Sequence, residues 1–188
     1  VLDVGCGAGR VSLHLQRKGL TVTAIDNSPL AIRVCRKRGV EDARILAVEQ
    51  IRQIAGATFD SVVMFGNNFG LFGGFEKARR LLRQLHGLTS PDAVILAESV
   101  NPYTTSVAAH RRYQRRNRAR GRMGGQIRIR IRFRDIKGPW FDYLLVSPGE
   151  MKAILAGTGW RVRKILRSSR GPVYVAVIGK SLVPARRR

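Results

Sequence analysis

The chain has 188 residues, 44% of them hydrophobic and 25% charged, the size and balance of one globular domain with its own core, which excludes a disordered chain or a scaffold held by disulfides. Its formal net charge of +23 is uneven: residues 1–100 carry 13 basic and 9 acidic side chains, whereas residues 101–188 carry 22 and 3. No apolar run approaches the roughly 20 residues of a spanning helix, so no membrane is expected as a partner. Cys6 and Cys35 have neither metal-ligand spacing nor scaffold density, so no metal is expected and the setting reads as reducing and cytoplasmic.

The first hundred residues alternate short apolar runs with helical patterns, the signature of a parallel sheet flanked by helices. The chain starts inside a strand, "VLDVG", without methionine, so a preceding N-terminal segment is expected. "RVSLHLQRKG" follows as a helix stopped by Gly19, and "TVTAID" is the second strand. "NSPLAIRVCRKRG" places Ser28 as N-cap, Pro29 in the first helical position and Gly39 just past the end, a paired start and stop. "ARILAV" and "FDSVVMF" read as the third and fourth strands, "GFEKARRLLRQLHG" as an amphipathic helix and "DAVILAES" as the fifth strand.

After residue 100 the character changes. A polar, cationic, partly helical segment leads into "GGQIRIRIRFRD", where Arg128, Arg130, Arg132 and Arg134 alternate with Ile127, Ile129, Ile131 and Phe133. Period two gives a strand with one greasy and one cationic face. The greasy face is expected to pack on the core or the lid, and Trp140 and Phe141 to pack the hairpin onto the core rather than stack a substrate. "DIKGP" reads as the turn and "WFDYLLV" as the partner strand of an antiparallel hairpin. "SPGEMKAILAGTG" has Ser147, Pro148 and Glu150 in capping-box spacing, and "WRVRKILRSS" with "GPVYVAVIGK" forms a closing antiparallel pair. Residues 1–188 thus read as one domain: a cofactor-binding half (1–100), an insertion or lid with a β-hairpin (101–147), and a closing helix and strand pair (148–188).

The chemistry lies in "VLDVGCGAG". A strand ends at Val4, and Gly5, Gly7 and Gly9 turn it into a helix, where bare backbone approaches a ligand and free N–H groups face its polar part. The spacing is G-x-G-x-G, with Arg10 where the dehydrogenase fingerprint G-x-G-x-x-G places its last glycine. Asp26 ends the next strand, 21 residues after Gly5, where a carboxylate can accept from both ribose hydroxyls of a nucleoside.

This strand–turn–helix–strand–Asp unit resembles motif I of the class I methyltransferases that use S-adenosylmethionine (SAM). The resemblance implies a three-layer α/β Rossmann-like fold with a mostly parallel seven-stranded sheet, its last strand antiparallel, plus an inserted β-hairpin. It also implies SAM as cofactor. Carried onto matching positions, it gives Asp3 as the brace of the glycine loop, Gly5, Cys6 and Gly7 around the methionine and ribose, and Gly9 as a further cofactor-binding residue. Asp26 would hold the ribose and Asn27 pack near the adenine. Glu49 and Gln50 stand where the family places an acidic residue near the adenine amino group, with "VEQ" replacing the commoner "GDA"-like pattern. Phe65 to Asn68 resemble the loop facing the methyl group, with Asn67 and Asn68 a polar pair able to orient a substrate.

Transfer from a sulfonium is an in-line displacement of an activated methyl group, so proximity matters most and a base is needed only if the nucleophile loses a proton. Candidate bases are Tyr103, His110 and Tyr113, while His14, His86 and Cys35 read as surface or packing residues. "FGNNFG" replaces the "NPPY"-like motif of exocyclic-amine DNA methyltransferases, and no cysteine pair suggests a covalent C5 mechanism. Three functions remain: a small-molecule methyltransferase, which leads; a tRNA or rRNA methyltransferase using the basic 101–134 segment; and a non-catalytic SAM-binding domain. The 11 arginines without an acid between 101 and 134 suit phosphate. However, a GC-rich genome gives the same excess, and no aromatic residues are interleaved as a stacking platform requires.

Overall fold

In the computed structural model, which describes residues 1–181 apart from 55, 57 and 170, five strands lead the chain: β1 (Leu2–Val4), β2 (Thr23–Asp26), β3 (Asp42–Ile45), β4 (Phe59–Met64) and β5 (Thr89–Val100). Between them run helices α1 (Arg10–Gln16), α2 (Pro29–Lys37) and α3 (Phe75–Gly87), and two short 3-10 helices, Val48–Gln53 and Asn68–Phe72. Helix α4 (Ala108–Ala119), the short strands β6 (Gln126–Ile129), β7 (Arg132–Phe133), β8 (Ile136–Lys137) and β9 (Phe141–Leu144), helix α5 (Pro148–Leu155), and strands β10 (Trp160–Arg167) and β11 (Val173–Lys180) complete it.

Seven strands form one sheet in the order β10-β11-β5-β4-β1-β2-β3. The pairs among β1 to β5 are parallel, and β11 runs antiparallel to both β5 and β10. The expected seven-stranded fold with one reversed strand is present. Strand order reverses between β1 and β4, so the loops leaving these strands diverge and open a crevice at their carboxyl ends, where ligands of such sheets bind.

The sheet is buried on both faces, as alternation along β2 shows: Ala24 joins a small cluster with Ile32, Cys35 and Val40 under α2, while Ile25 joins the main core. That core is filled from α3 and α5 by Leu81, Leu82, Leu85, Met151 and Ile154. The helix ends follow their caps. Ser28 Oγ accepts from Ala31 N with Pro29 at the first position, and Ser147 and Glu150 close the capping box of α5. Strand β10 lies at the sheet edge with Arg161, Lys164 and Arg167 exposed, cations that discourage edge pairing. Among the described residues no helix is long and apolar enough to cross a membrane.

Three readings need correction. The third strand ends at Ile45, and Val48 already belongs to a 3-10 turn. The arginine-rich strand is two pieces: β6 pairs with β9, and β7 with β8 in a separate two-stranded unit whose turn is Arg134–Asp135 rather than "DIKGP". Pro139 interrupts the partner strand; without an N–H it cannot continue the ladder from β9 into β8. Arg134 takes φ 50 in that turn. Lastly, only part of the greasy face packs inward: Ile127 and Ile129 are half-buried, whereas Ile131, Phe133 and Trp140 are exposed. Projecting past the body of the domain, the β7–β8 unit has no core to lie on.

Candidate active site

The glycine loop is held from every side. Gly5, Gly7 and Gly9 have φ of 73, 55 and 77°, the left-handed region that side chains disfavour. At Gly9 space is also short: a Cβ would lie 2.7 Å from Val40 Cγ2 and 3.0 Å from Cys35 Sγ. At Gly7 a Cβ would meet nothing within 4 Å, so this backbone faces open room. Asp26 Oδ2 accepts from Gly7 N at 3.0 Å and its Oδ1 from Ser28 N at 2.9 Å, tying the loop to the end of β2. Asn68 Nδ2 donates to the carbonyls of Val4 and Gly5 at 2.9 and 2.7 Å. Below, the buried Asp3 accepts from Ser12 Oγ at 2.6 Å. Burial pushes its carboxyl above the usual range, with the nearby Asp26 charge adding to the effect and the Ser12 hydrogen bonds opposing it.

Cys35 is more than a small hydrophobe: its thiol donates to Gly7 O at 3.0 Å, and Cys6 Sγ stands 3.8 Å from it. Burial, then the neighbouring Cys35, pushes the Cys6 thiol up, and burial likewise raises Cys35. Both sulfurs therefore stay protonated and serve packing.

A cleft of about 170 Å³ opens beside this loop at the β1/β4 switch point. Gly5, Asp26 and Asn27 form one side. Glu49 and Lys77, an ion pair, form another. Burial opposes ionisation of Glu49, but Lys77 and a backbone N–H outweigh it and hold its carboxyl below the usual range. Leu46, Val48 and Leu71 supply apolar walls, and the hairpin closes the far side with Pro139, Phe141 and Asp142. A carboxylate at each end with apolar surfaces between can hold a ligand that has polar ends and a flat apolar middle.

Of the residues assigned from sequence, Gly5, Asp26, Asn27 and Glu49 line the cleft. Asp3 lies beneath the loop, bonded to Ser12; Gly7 and Gly9 form the loop itself without lining the cleft; and Cys6 turns toward Cys35. Gln50 accepts from Ala47 N with its own side chain and lies outside the lining. Phe65 is half-buried at the end of β4 and lines neither this cleft nor the second cavity below. Lys77, Leu71 and Asp142 were not singled out; they come from distant segments and carry no local motif.

A second cavity, about 880 Å³, lies between the segment after β5, helix α4 and strand β6. Its lining is mostly apolar, including Pro102, Ile127, Ile129 and Leu145, with His110, Tyr113 and Arg128 as its titratable groups. Thr105 Oγ1 lies 3.1 Å from His110 Nδ1, which leaves Nε2 free of that contact. Tyr103 lines neither space: its hydroxyl donates to Glu150, and Arg118 stacks over its ring at 4.8 Å. Burial, with the Glu150 hydrogen bond, raises the Tyr103 phenol, which removes it as a base near neutrality.

Asn67, in the loop after β4, lines neither space. It sits at φ 65, donates its N–H to Glu98 Oε1 at 3.0 Å and accepts from Tyr143 Oη at 2.7 Å through its carbonyl. Its Oδ1 is buried and without a partner among the described residues. A strained backbone and a bare buried acceptor each cost about 1–3 kcal/mol, and such features concentrate at functional sites. Tyr143 went unnoticed in the sequence; its ring packs so closely on Gly70 that a Cβ there would lie 2.6 Å from it.

Comparison with known proteins extends this geometry. Residues 1–92 match a family profile described as a methyltransferase domain. A ubiquinone biosynthesis O-methyltransferase of Xylella fastidiosa (strain 9a5c) is 46% identical over 67 residues, 33% of this chain and 27% of that protein. The matched segment thus spans about a quarter of the length of the curated relatives. A solved SAM-dependent methyltransferase from Bacteroides fragilis, in complex with S-adenosyl-L-homocysteine, is 31% identical with a TM-score of 0.80, covering 96% of this chain and 72% of that one. A methyltransferase from Streptomyces caelestis shares the fold at 15% identity, with a TM-score of 0.71 and coverage of 96% and 82%. The glycine loop, the sheet order and a likeness running nearly the whole length agree, and the chain belongs to the family of SAM-dependent methyltransferases.

Proposed function

We propose that this protein transfers a methyl group from SAM to a small-molecule acceptor held in the cavity between α4 and β6. The observation that carries the reading is the cleft at the switch point, where Asp26, Asn27 and Glu49 converge beside an open glycine loop while the hairpin closes the opposite wall. These residues fit the cofactor. Gly7 leaves room where a side chain would intrude, Asp26 keeps unused lone pairs for ribose hydroxyls, and Glu49 stands ready for an amino group. When bound, SAM supplies an electrophilic methyl group on a sulfonium. The chain's own task is orientation and proton handling. Within that cavity His110, steadied by Thr105, takes the proton that a hydroxyl acceptor loses. Tyr113 shapes the same cavity.

A volume of about 880 Å³ with mostly apolar walls suits a metabolite, since ligand pockets run about 300–1,000 Å³. The curated relatives named as ubiquinone biosynthesis O-methyltransferases favour an oxygen nucleophile on such a molecule. The test supplies SAM carrying a radiolabelled methyl group together with phenolic small molecules and bulk transfer and ribosomal RNA. Label in the small-molecule fraction, reduced at least about tenfold by His110→Ala, is the expected result for a general base worth about 10²–10⁴. Label in RNA overturns the acceptor class, and SAM binding without transfer to either overturns catalysis.

A further inference from the structure

The β7–β8 hairpin takes no part in either cavity, yet it presents apolar side chains to solvent: Ile131, Phe133 and Ile136 are 70, 65 and 64% exposed, and Trp140 54%. Clustered exposure of this kind marks an interaction surface. Cross-strand partners share a face, so Phe133 and Ile136 lie together on one side of the hairpin and Arg132 and Lys137 on the other. Positive charge also reaches the apolar side. Arg134 folds its guanidinium over the Phe133 ring at 5.4 Å, and Arg130 lies over Trp140 at 4.8 Å. Helix α4, earlier in the same basic segment, exposes Arg111, Arg112, Arg115 and Arg116, and no acidic residue occurs between 101 and 134.

We propose that this hairpin docks the protein on the surface of an anionic lipid bilayer, with Ile131, Phe133, Ile136 and Trp140 at the headgroup–acyl boundary and the surrounding arginines on the headgroups. Exposed aliphatic and aromatic side chains ringed by cations are the composition of elements that lie in a membrane interface. The expectation of no membrane partner rested on the lack of a spanning run, which surface docking does not require. Two other occupants fit less well. RNA would stack on flat aromatic faces, but Ile131 and Ile136 offer none, and the Phe133 and Trp140 rings each carry a guanidinium across one face. A second copy joined through the same hairpin would set like charges against each other across a two-fold interface.

The test is co-sedimentation of the full chain with vesicles of phosphatidylcholine alone or mixed with phosphatidylglycerol, at low and high salt. The protein is expected to bind the mixed vesicles only, and less at high salt. The triple variant Ile131→Ser/Phe133→Ser/Ile136→Ser is expected to lose vesicle affinity by about tenfold or more, with thermal melting and SAM affinity unchanged. The proposal is overturned if the native protein stays in the supernatant with mixed vesicles, or if the triple variant binds them equally well. It is also overturned if the variant instead loses affinity for poly(U), or if it converts a dimer to a monomer in size-exclusion chromatography.

Discussion

In residues 1–100 the polar groups around the glycine loop are committed to the chain's own backbone: Asp26 to two N–H groups, Asn68 to two carbonyls, the Cys35 thiol to a third. In residues 101–147 the charged groups mostly face water. That segment carries 12 basic side chains against 2 acidic ones, and Arg122 with Asp142 is its only ion pair among the described residues. The difference reflects what each region is asked to hold. Around the cleft proposed for SAM the backbone is fixed in advance, and preorganised groups pay little ordering entropy on binding. Residues 101–147 are marked instead by composition, and most of their arginines are exposed.

Removing the central brace is the strongest way to break this contrast. Asp26→Ala deletes the acceptor of two backbone hydrogen bonds and the proposed ribose contact, and hydrogen bonds to a charged group are worth about 1.5–3 kcal/mol each. SAM affinity measured by calorimetry should fall about hundredfold or more, with the sheet intact by circular dichroism. Unchanged affinity would mean that the cleft beside Asp26 is not the cofactor site.

The seam between the regions gives a smaller effect. Tyr143 lies on β9, among residues 101–147, yet its hydroxyl holds the carbonyl of Asn67 in the loop after β4. Tyr143→Phe keeps the ring against Gly70 and loses only that hydrogen bond, a cost of about 1 kcal/mol. A drop in melting temperature of about 2–4 °C should accompany a several-fold fall in kcat with SAM affinity unchanged. If kcat does not move, residues 101–147 cover the site without positioning it.

How far the sequence reveals each region follows the same division. The cofactor half is written in local signals. Glycines at fixed spacing need left-handed φ, Ser28–Pro29 and Gly39 bracket a helix, and Asp26 stands at a strand end, so the fold and the loop were legible. Lys77, Leu71 and Asp142 reach the cleft only through the tertiary path of the chain, and no local pattern announces them. The hairpin shows the limit of periodicity. Alternation in "IRIRIRFR" states that two faces differ, but not what covers either one, and Pro139 redirects the strand so that half of the apolar face meets solvent.

The smallest effect tests whether the buried brace beneath the loop serves packing or charge. Asp3 is 2% exposed and accepts from Ser12. Burial, the largest cause, raises its carboxyl above the unfolded value, which is about 3.9. The native state therefore holds this proton more tightly than the unfolded chain does. The resulting stabilisation is full below about pH 4 and is lost as pH rises through the raised native value. Asparagine keeps an oxygen for Ser12 and carries no charge, so Asp3→Asn should raise the melting temperature at pH 7 by about 2 °C and give no gain at pH 3, where the native carboxyl is already neutral. A difference that stays constant between the two pH values would show that the ionised form is not the one under strain. SAM affinity unchanged in the same variant would place Asp3 among the supports of the loop, since a carboxylate acting on the cofactor would lose its charge in the substitution.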